Sequence, residues 1–239
     1  MLLLIAAIGK KNKQHCQDYI IKIKSSQDKF FIDNNVVLKI LNAATAGRIK
    51  GREIASFNLR GVEELVERDA WIRDAELYFD SQNVLHITVK EREPIARLFT
   101  IGGNSFYIDS NCRRMPLSER ISARVPVFTN YPDKKFPEEK DSSLLNQIKT
   151  LAEFIKRNQF WMAQVGQLDI TPEYTFEMVP TLGNHIVKLG DGNDFDKKFQ
   201  RLFIFYKEIL GKTGFDKYSF LDVQFKGQLI ATKKQALIK

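Results

Sequence analysis

The fold is decided by Trp71–Leu98, which reads W-I-R-D-A-E-L-Y-F-D-S-Q-N-V-L-H-I-T-V-K-E-R-E-P-I-A-R-L. Apolar and polar residues alternate over Ala75–Asp80 and again over Val84–Lys90, and the turn formers Ser81–Asn83 lie between the two runs. Period-two alternation is typical of half-buried strands, so the stretch predicts a β-hairpin. Pro94 marks a strand end or a junction, because proline has no N–H to donate to a neighbouring strand.

The residues ahead of the hairpin predict one strand and two helices. Asp18–Lys24 alternates as a short strand, Asp33 is a good N-cap for a helix, and Asn58 caps a second helix. Apolar residues occupy one face of the second helix, and we expect Glu63 and Glu67 on the other face to point to water. The order strand, helix, helix, strand, strand predicts a small sheet covered by two helices on one face, which is an α+β arrangement.

The residues after Pro94 predict a second, mixed sheet with two long helices. Apolar stripes at helical spacing indicate these helices over residues 144–155 and 195–210. Gly190–Asp194 has the oxygen content of part of a calcium loop, but it lacks the ordered ligand positions and the final glutamate. A turn between a strand and a helix explains this segment better. The strands that we predict here are Ile95–Thr100, Ser105–Asp109, Val165–Ile170, Tyr174–Val179, Ile186–Leu189, Tyr218–Phe225 and Gln228–Thr232.

The last predicted strand, Gln228–Thr232, is a candidate for an exposed sheet edge. It forms a hairpin with Tyr218–Phe225 through a turn at residues 226–227, and no later segment is available to cover it. An exposed edge offers unpaired N–H and C=O groups and invites an incoming strand. The alternative is an edge that the lysines at 233 and 234 protect, and the residues alone leave both interpretations open.

The chain has 239 residues, enough for one or two domains, and a net charge of +8. A basic surface suits nucleic acid, an anionic membrane or an acidic partner. The lysines are spread over nearly every segment and form no arginine-rich run. An ordinary solvated surface therefore explains the charge better than nucleic-acid binding does.

The titratable residues form no recognisable catalytic or metal-binding pattern. Cys16 and Cys112 are far apart and lack metal spacing, so neither a disulfide framework nor a zinc site is supported. His15, His86 and His185 lie in three different segments, and no nucleophile elbow, H-E-x-x-H motif or Walker loop occurs. We therefore expect no enzyme activity and no cofactor.

The first nine residues are apolar and are followed by Lys10, Lys11 and Lys13. Eight apolar residues reach only about 12 Å as a helix, against about 30 Å of hydrocarbon in a bilayer. Leu2–Gly9 is therefore expected to be either the last part of a longer membrane helix or a short apolar end that folds onto the domain. The abrupt change from apolar residues to lysine favours the membrane helix.

Two motifs in the predicted domains resemble the FtsQ/DivIB family of bacterial cell-division proteins. The junction E-R-E-P-I-A at Glu91–Ala96 is similar to the end of the family's POTRA domain, and F-Y-I-D-S-N-C-R-R-M-P-L-S at Phe106–Ser118 is similar to the entry into its β domain. The resemblance covers about Tyr19–Thr232. One departure is the turn after F-Y-I-D, where the family has glycine and this chain has Ser110–Cys112. We expect Asn111 to take the positive φ there, since asparagine tolerates it.

The resemblance implies a POTRA domain at 17–94 and a β domain at 95–232, preceded by a membrane-helix remnant and linker at 1–16 and followed by a tail at 233–239. It implies a single-pass protein of the cytoplasmic membrane with its bulk on the extracytoplasmic side. The family has a complete membrane helix at the place where this chain shows only Leu2–Gly9.

The resemblance also implies a function, which is non-enzymatic scaffolding in septum assembly. Family members bind FtsB/DivIC-like and FtsL-like partners, and the partner adds a strand to the last strand of the β domain. Carried over to this sequence, the partner-binding residues are Phe225, Gly227, Gln228, Leu229, Ile230, Ala231, Thr232 and Lys233. A further hypothesis is that Lys226, Lys233 and Lys234 attract an acidic segment of the partner.

Two other functions compete with this one. The first is a POTRA-containing chaperone or transport component of the envelope, a class that usually carries repeated POTRA units or a downstream β-barrel. The second is an envelope hydrolase, which would need a catalytic residue set that the sequence does not reveal.

Overall fold

The computed structural model describes residues 14–25, 30–133 and 138–234. The predicted membrane-helix remnant, Leu2–Gly9, lies outside these residues, and so do positions 235–239 of the predicted tail. Within the described ranges, no helix combines the length and the apolar character that crossing a bilayer requires.

The chain divides into two compact units. The first contains the described residues up to Glu93 together with Ser118–Ser122. The second contains Pro94–Leu117 and the described residues from Ala123 onward. Pro94, which the sequence marks as a strand end or a junction, is the first residue of the second unit.

The first unit has the predicted order strand, helix, helix, strand, strand. Its elements are β1 (Asp18–Lys24), α1 (Asn34–Ala44), α2 (Leu59–Val66), β2 (Ile72–Phe79) and β3 (Val84–Glu91). β3 lies in the middle of the sheet, parallel to β1 and antiparallel to β2, so the sheet order is β1-β3-β2. The α+β prediction for this part of the chain is confirmed.

Both predicted helix caps are present in the first unit. The side chain of Asp33 accepts a hydrogen bond from the N–H of Val36 at 3.1 Å, and the side chain of Asn58 accepts one from the N–H of Gly61 at 3.0 Å. Each cap satisfies an amide that has no partner within its own helix. The buried residues on the two helices are Val37, Leu41, Val62 and Val66.

Glu91, the last residue of β3, and Arg92, which follows it, fasten the strand to the rest of its unit. The carboxylate of Glu91 accepts a hydrogen bond from the N–H of Ile32 at 2.7 Å. The guanidinium of Arg92 donates to the carbonyl oxygen of Ala70 at 3.1 Å and to that of Ile72 at 2.8 Å. Both side chains are buried, and buried charged groups need such hydrogen-bond partners. Glu91 therefore ties the end of β3 to the segment ahead of α1, and Arg92 ties it to the corner between α2 and β2.

Two glutamates that we expected to face water instead bind the outer edge of β2. Glu63 accepts a hydrogen bond from the N–H of Leu77 at 2.7 Å, and Glu67 accepts one from the N–H of Ala75 at 3.1 Å. Residues four apart lie on one face of a helix, and residues two apart in a strand point the same way, so the two spacings match. β2 is an end strand of its sheet, and the two carboxylates occupy amides that would otherwise be open.

The second unit is built on a mixed sheet, as predicted. Its strands among the described residues are β4 (Pro94–Thr100), β5 (Ser105–Asp109), β6 (Arg114–Met115), β7 (Val127–Tyr131), β8 (Val165–Ile170), β9 (Phe176–Pro180), β10 (Ile186–Gly190), β11 (Tyr218–Asp222) and β12 (Ile230–Lys233). Their order in the sheet is β12-β11-β10-β9-β8-β7-β4-β5-β6. The pairs β4–β7, β7–β8 and β10–β11 are parallel, and the other pairs are antiparallel.

Helices of the second unit supply much of its core. They are α3 (Glu138–Arg157), α4 (Gln159–Gln164) and α5 (Phe195–Phe205), which continues through a π-helical segment at Tyr206–Leu210 and a last turn at Gly211–Thr213. α3 and α5 are the predicted long helices. The sequence did not predict α4, whose Trp161 is only 2% exposed and contacts the ring of Phe199 edge-on at 4.8 Å.

The turn after β5 corrects one expectation about backbone conformation. The residue with a positive φ is Cys112, at 59°, and not Asn111. The carboxylate of Asp109 holds the turn by accepting hydrogen bonds from the N–H groups of Asn111 at 2.9 Å and Arg113 at 2.8 Å. A residue other than glycine adopts this region at a cost, so the cysteine is held there by its neighbours.

Gly190–Asp194 joins β10 to α5, as predicted for a turn between a strand and a helix. The ammonium of Lys198, whose side chain is buried, donates to the carboxylate of Asp191 at 2.9 Å and to its carbonyl oxygen at 3.0 Å. This contact lowers the pKa of Asp191 below its ordinary value. Asp194, the last residue of the turn, makes no capping hydrogen bond to α5 through its side chain.

His185, just before β10, is a buried histidine. Its side chain is 3% exposed, and its Nε2 lies 2.7 Å from the hydroxyl oxygen of Tyr206. Burial lowers the pKa of His185, and the positive charge of Lys234 acts in the same direction, while the backbone of Phe215 and the charge of Asp216 oppose them. Burial also raises the pKa of Tyr206, so burial disfavours the charged form of both rings.

The glutamate contacts predict a stability difference within one helix. Glu63→Ala or Glu67→Ala removes an acceptor from a β2 amide, and each should lower the free energy of unfolding by about 1–2 kcal/mol. Glu64→Ala is the matched control, because Glu64 pairs only with the exposed Arg60 among the contacts described. Urea unfolding measures the three values. A loss in Glu64→Ala equal to the other two would contradict the assigned role.

The buried histidine predicts a pH dependence of stability. Because the pKa of His185 is lower in the folded chain, the unfolded chain binds a proton more readily below the ordinary imidazole pKa of about 6.5. The free energy of unfolding should therefore fall as the pH drops below that value, by at most about 1.4 kcal/mol per pH unit for this group. Urea unfolding between pH 7.5 and pH 5 should give a shallower pH dependence for His185→Gln than for the natural chain. His15→Gln, at an exposed position, is the control, and parallel profiles for all three chains would refute the prediction.

Candidate functional site

β12 is an end strand of the nine-stranded sheet. It pairs with β11 on one side, and no other strand of the described ranges pairs with it. The strand begins at Ile230 and ends at Lys233, whereas the sequence predicted Gln228–Thr232. The edge position that we considered for this segment is therefore observed, and the use of that edge by a partner stays a prediction.

The backbone of β12 offers hydrogen-bonding groups to its open side. The N–H of Lys234 donates to the carbonyl oxygen of Lys217, at 3.1 Å, so the backbone of this residue faces β11. Backbone groups of successive residues in a strand point to opposite sides. Thr232 therefore also faces β11, while the N–H and C=O groups of Ala231 and Lys233 face outward. These two residues present two donors and two acceptors to an incoming strand.

The two faces of β12 differ in burial. Ala231 lies opposite the buried Leu221 and packs on the core of the unit, as the neighbouring Leu229 does. Ile230 points to the other face and is 48% exposed, and Phe220 of β11 is 38% exposed on that same face. A strand added at this edge would extend both faces, with apolar surface already present on each.

The loop between β11 and β12 contains the remaining predicted site residues. Phe225 is 54% exposed. Gly227 has a φ of 74°, a conformation that glycine adopts without cost, and the N–H of Gln228 returns to the carbonyl oxygen of Phe225 at 3.3 Å. Phe225, Gly227 and Gln228 thus form the turn that leads into the edge, and they are not part of the strand itself.

Sequence reasoning missed Arg201 of α5. Its guanidinium donates to the carbonyl oxygens of Val223 at 2.8 Å, Phe225 at 3.2 Å and Gln228 at 3.1 Å. The only signal in the sequence is a basic residue beside the apolar stripe of the helix that precedes β11. No periodicity relates that position to the loop that it contacts.

The structure brings no predicted catalytic or metal-binding residues together in its described part. His86 pairs with the carboxylate of Asp80 at 2.8 Å, and this hydrogen bond is the largest cause of the lowered pKa of Asp80. Cys16 and Cys112 are free thiols. Over the described ranges, no cluster of histidine, cysteine, aspartate and glutamate is suited to hold a metal ion.

Two family models match this chain. The one described as "FtsQ/DivIB, C-terminal related" matches residues 93–232, and the one described as "POTRA-like domain" matches residues 14–90. A cell division protein FtsQ of Geotalea daltonii is 24% identical over 79% of this chain and 68% of its own length. A second cell division protein FtsQ, of a Geobacter species, is 22% identical over the same shares of the two chains.

The alternation of backbone groups in β12 predicts that proline is accepted at one position and rejected at the next. Ala231→Pro removes an N–H that points away from β11, so it should cost less than about 1 kcal/mol of folding stability. Thr232→Pro removes an N–H that faces β11, and it should cost about 3 kcal/mol or more. Urea unfolding compares the two chains. Equal losses would show that the assignment of outward-facing groups is wrong.

Proposed function

The chain belongs to the FtsQ/DivIB family, and on that premise we propose that it is a non-enzymatic scaffold of septum assembly. A POTRA domain at 17–94 and a β domain at 95–232 lie outside the cytoplasmic membrane, to which a helix preceding the first domain anchors the protein. The β domain binds FtsB/DivIC-like and FtsL-like division proteins. The relatives named FtsQ support the role in division.

The observation that carries the proposal is the open edge of β12. An incoming strand gains regular main-chain hydrogen bonds to Ala231 and Lys233 without displacing any described strand. Its side chains meet Ile230 and Thr232 on one face of the sheet and Ala231 on the other. Phe225, Gly227, Gln228 and Leu229 line the entry to the edge at the turn, completing the proposed partner-binding set.

The charge around the edge favours an acidic partner segment. Lys226 lies in the exposed turn, and Lys233 and Lys234 lie at the far end of β12. Positive groups at both ends of a short strand attract a negatively charged segment from a distance and speed its association. Such attraction is screened by salt, because the Debye length falls to about 8 Å at physiological ionic strength.

The proposal predicts that one proline abolishes partner binding without unfolding the chain. Ala231→Pro deletes an outward donor and places a ring on the open edge. Its affinity for the ectodomain of an FtsB/DivIC-like protein from the same organism should fall at least about tenfold, the loss expected for 1.4 kcal/mol. Calorimetric titration measures this affinity. Ala231→Ser keeps the N–H and is the control, and wild-type affinity in Ala231→Pro would rule out strand addition at β12.

The same titration tests the role of charge. Reversing the three lysines, as Lys226→Glu, Lys233→Glu and Lys234→Glu together, should weaken binding at low salt and have a smaller effect as salt is raised. The comparison chain carries Lys207→Glu on the π-helical segment, which lies outside the proposed site. Unchanged affinity of the triple variant at low salt would refute the acidic-partner hypothesis and leave strand addition untouched.

A further inference from the structure

Arg201 connects the helix that crosses from β10 to β11 with the loop that leads into β12. Its Nη2 donates to the carbonyl oxygens of Val223 and Phe225, and its Nε donates to that of Gln228. Val223 directly follows β11, and Gln228 comes shortly before β12. One side chain therefore holds both arms of the hairpin loop at once.

The loop has little else to order it. Every residue from Gln224 to Gln228 is exposed, so the loop buries no side chain of its own. Within it, the backbone turns through a positive φ at Gly227, which is a flexible residue in the unfolded chain. At the start of the loop, Gln224 donates from its N–H and its side-chain amide to the carboxylate of Asp222. The described hydrogen bonds that reach further round the loop are the one from Gln228 to Phe225 and the three of Arg201.

We infer that Arg201 is a positioning residue for β12, which fixes the start and register of the edge before a partner arrives. Arginine suits this role because its planar fork reaches several carbonyl oxygens in fixed directions, whereas lysine has one compact ammonium. A strand that is already ordered binds more tightly, since the partner does not have to order it first. The consequence for binding rests on the proposed function, while the ordering of the hairpin does not.

The experiment is residue-resolved hydrogen exchange on the full chain. Arg201→Met keeps the length of the side chain and removes all its donors, and Arg201→Lys keeps the charge. In Arg201→Met the amides of Ile230 and Thr232, which face β11, should exchange at least about tenfold faster than in the natural chain. Amides of β9 and β10, such as Met178 and Val187, should exchange at the natural rate. Arg201→Lys should give an intermediate rate at the hairpin alone.

The control is Lys207→Gln, which removes one positive charge from the segment that continues α5. It should leave exchange in the hairpin unchanged. Natural exchange rates at Ile230 and Thr232 in Arg201→Met would overturn the inference. A uniform increase over the whole sheet would also overturn it, because it would show a loss of global stability without a local role.

Partner binding separates this inference from the proposed function. The affinity of the FtsB/DivIC-like ectodomain should fall at least about tenfold in Arg201→Met and less in Arg201→Lys. Faster exchange confined to the hairpin, with no binding even by the natural chain, would refute the proposed function and support the positioning role. Full affinity in Arg201→Met, despite faster exchange, would overturn the claim that the ordering matters for binding.

Discussion

A strand at the end of a sheet leaves a row of N–H and C=O groups unpaired, and the end strands β2 and β12 differ in what meets those groups. At the outer edge of β2, Glu63 and Glu67 bind the amides that a further strand would use. At the outer edge of β12, the backbone groups of Ala231 and Lys233 have no strand beside them in the described part of the chain. A carboxylate accepts hydrogen bonds but cannot continue a ladder, so the first edge is closed to pairing and the second is open.

The sequence revealed the elements well because their signals are local. Alternation places the hairpin strands, and the caps at Asp33 and Asn58 depend on amides only a few residues away. The same reasoning failed wherever a side chain reaches across the fold. Helical periodicity puts Glu63 on the polar face of α2, yet it contains no information about the strand amide that the carboxylate meets. The contacts of Arg201 could not be predicted for the same reason. α4 was not predicted because it is too short to show helical periodicity in its apolar residues.

The motifs that carry the family resemblance turn out to be structural. Glu91 and Arg92 bind backbone groups elsewhere in the first unit, and the buried Asp109 holds the turn after β5 by accepting from the N–H groups of Asn111 and Arg113. Each of these contacts needs a particular side chain, because a buried charge without its partner is strongly destabilising. Such residues produce a recognisable pattern in the sequence. They identify the fold, and the proposed function depends on a different part of the surface.

In β12, every second residue directs its backbone N–H and C=O groups away from β11. This has a consequence for which substitutions the strand can accept. Recognition through main-chain N–H and C=O groups depends little on which side chains the strand carries. The exception is proline, which removes the N–H at an outward position. In the proposed strand addition, Ile230 and Thr232 can be exchanged for other strand-forming residues without loss of the outward N–H and C=O groups of Ala231 and Lys233. The proposed docking strand would therefore be marked by the course of its backbone and by the absence of proline at the outward positions, and only weakly by side-chain identity.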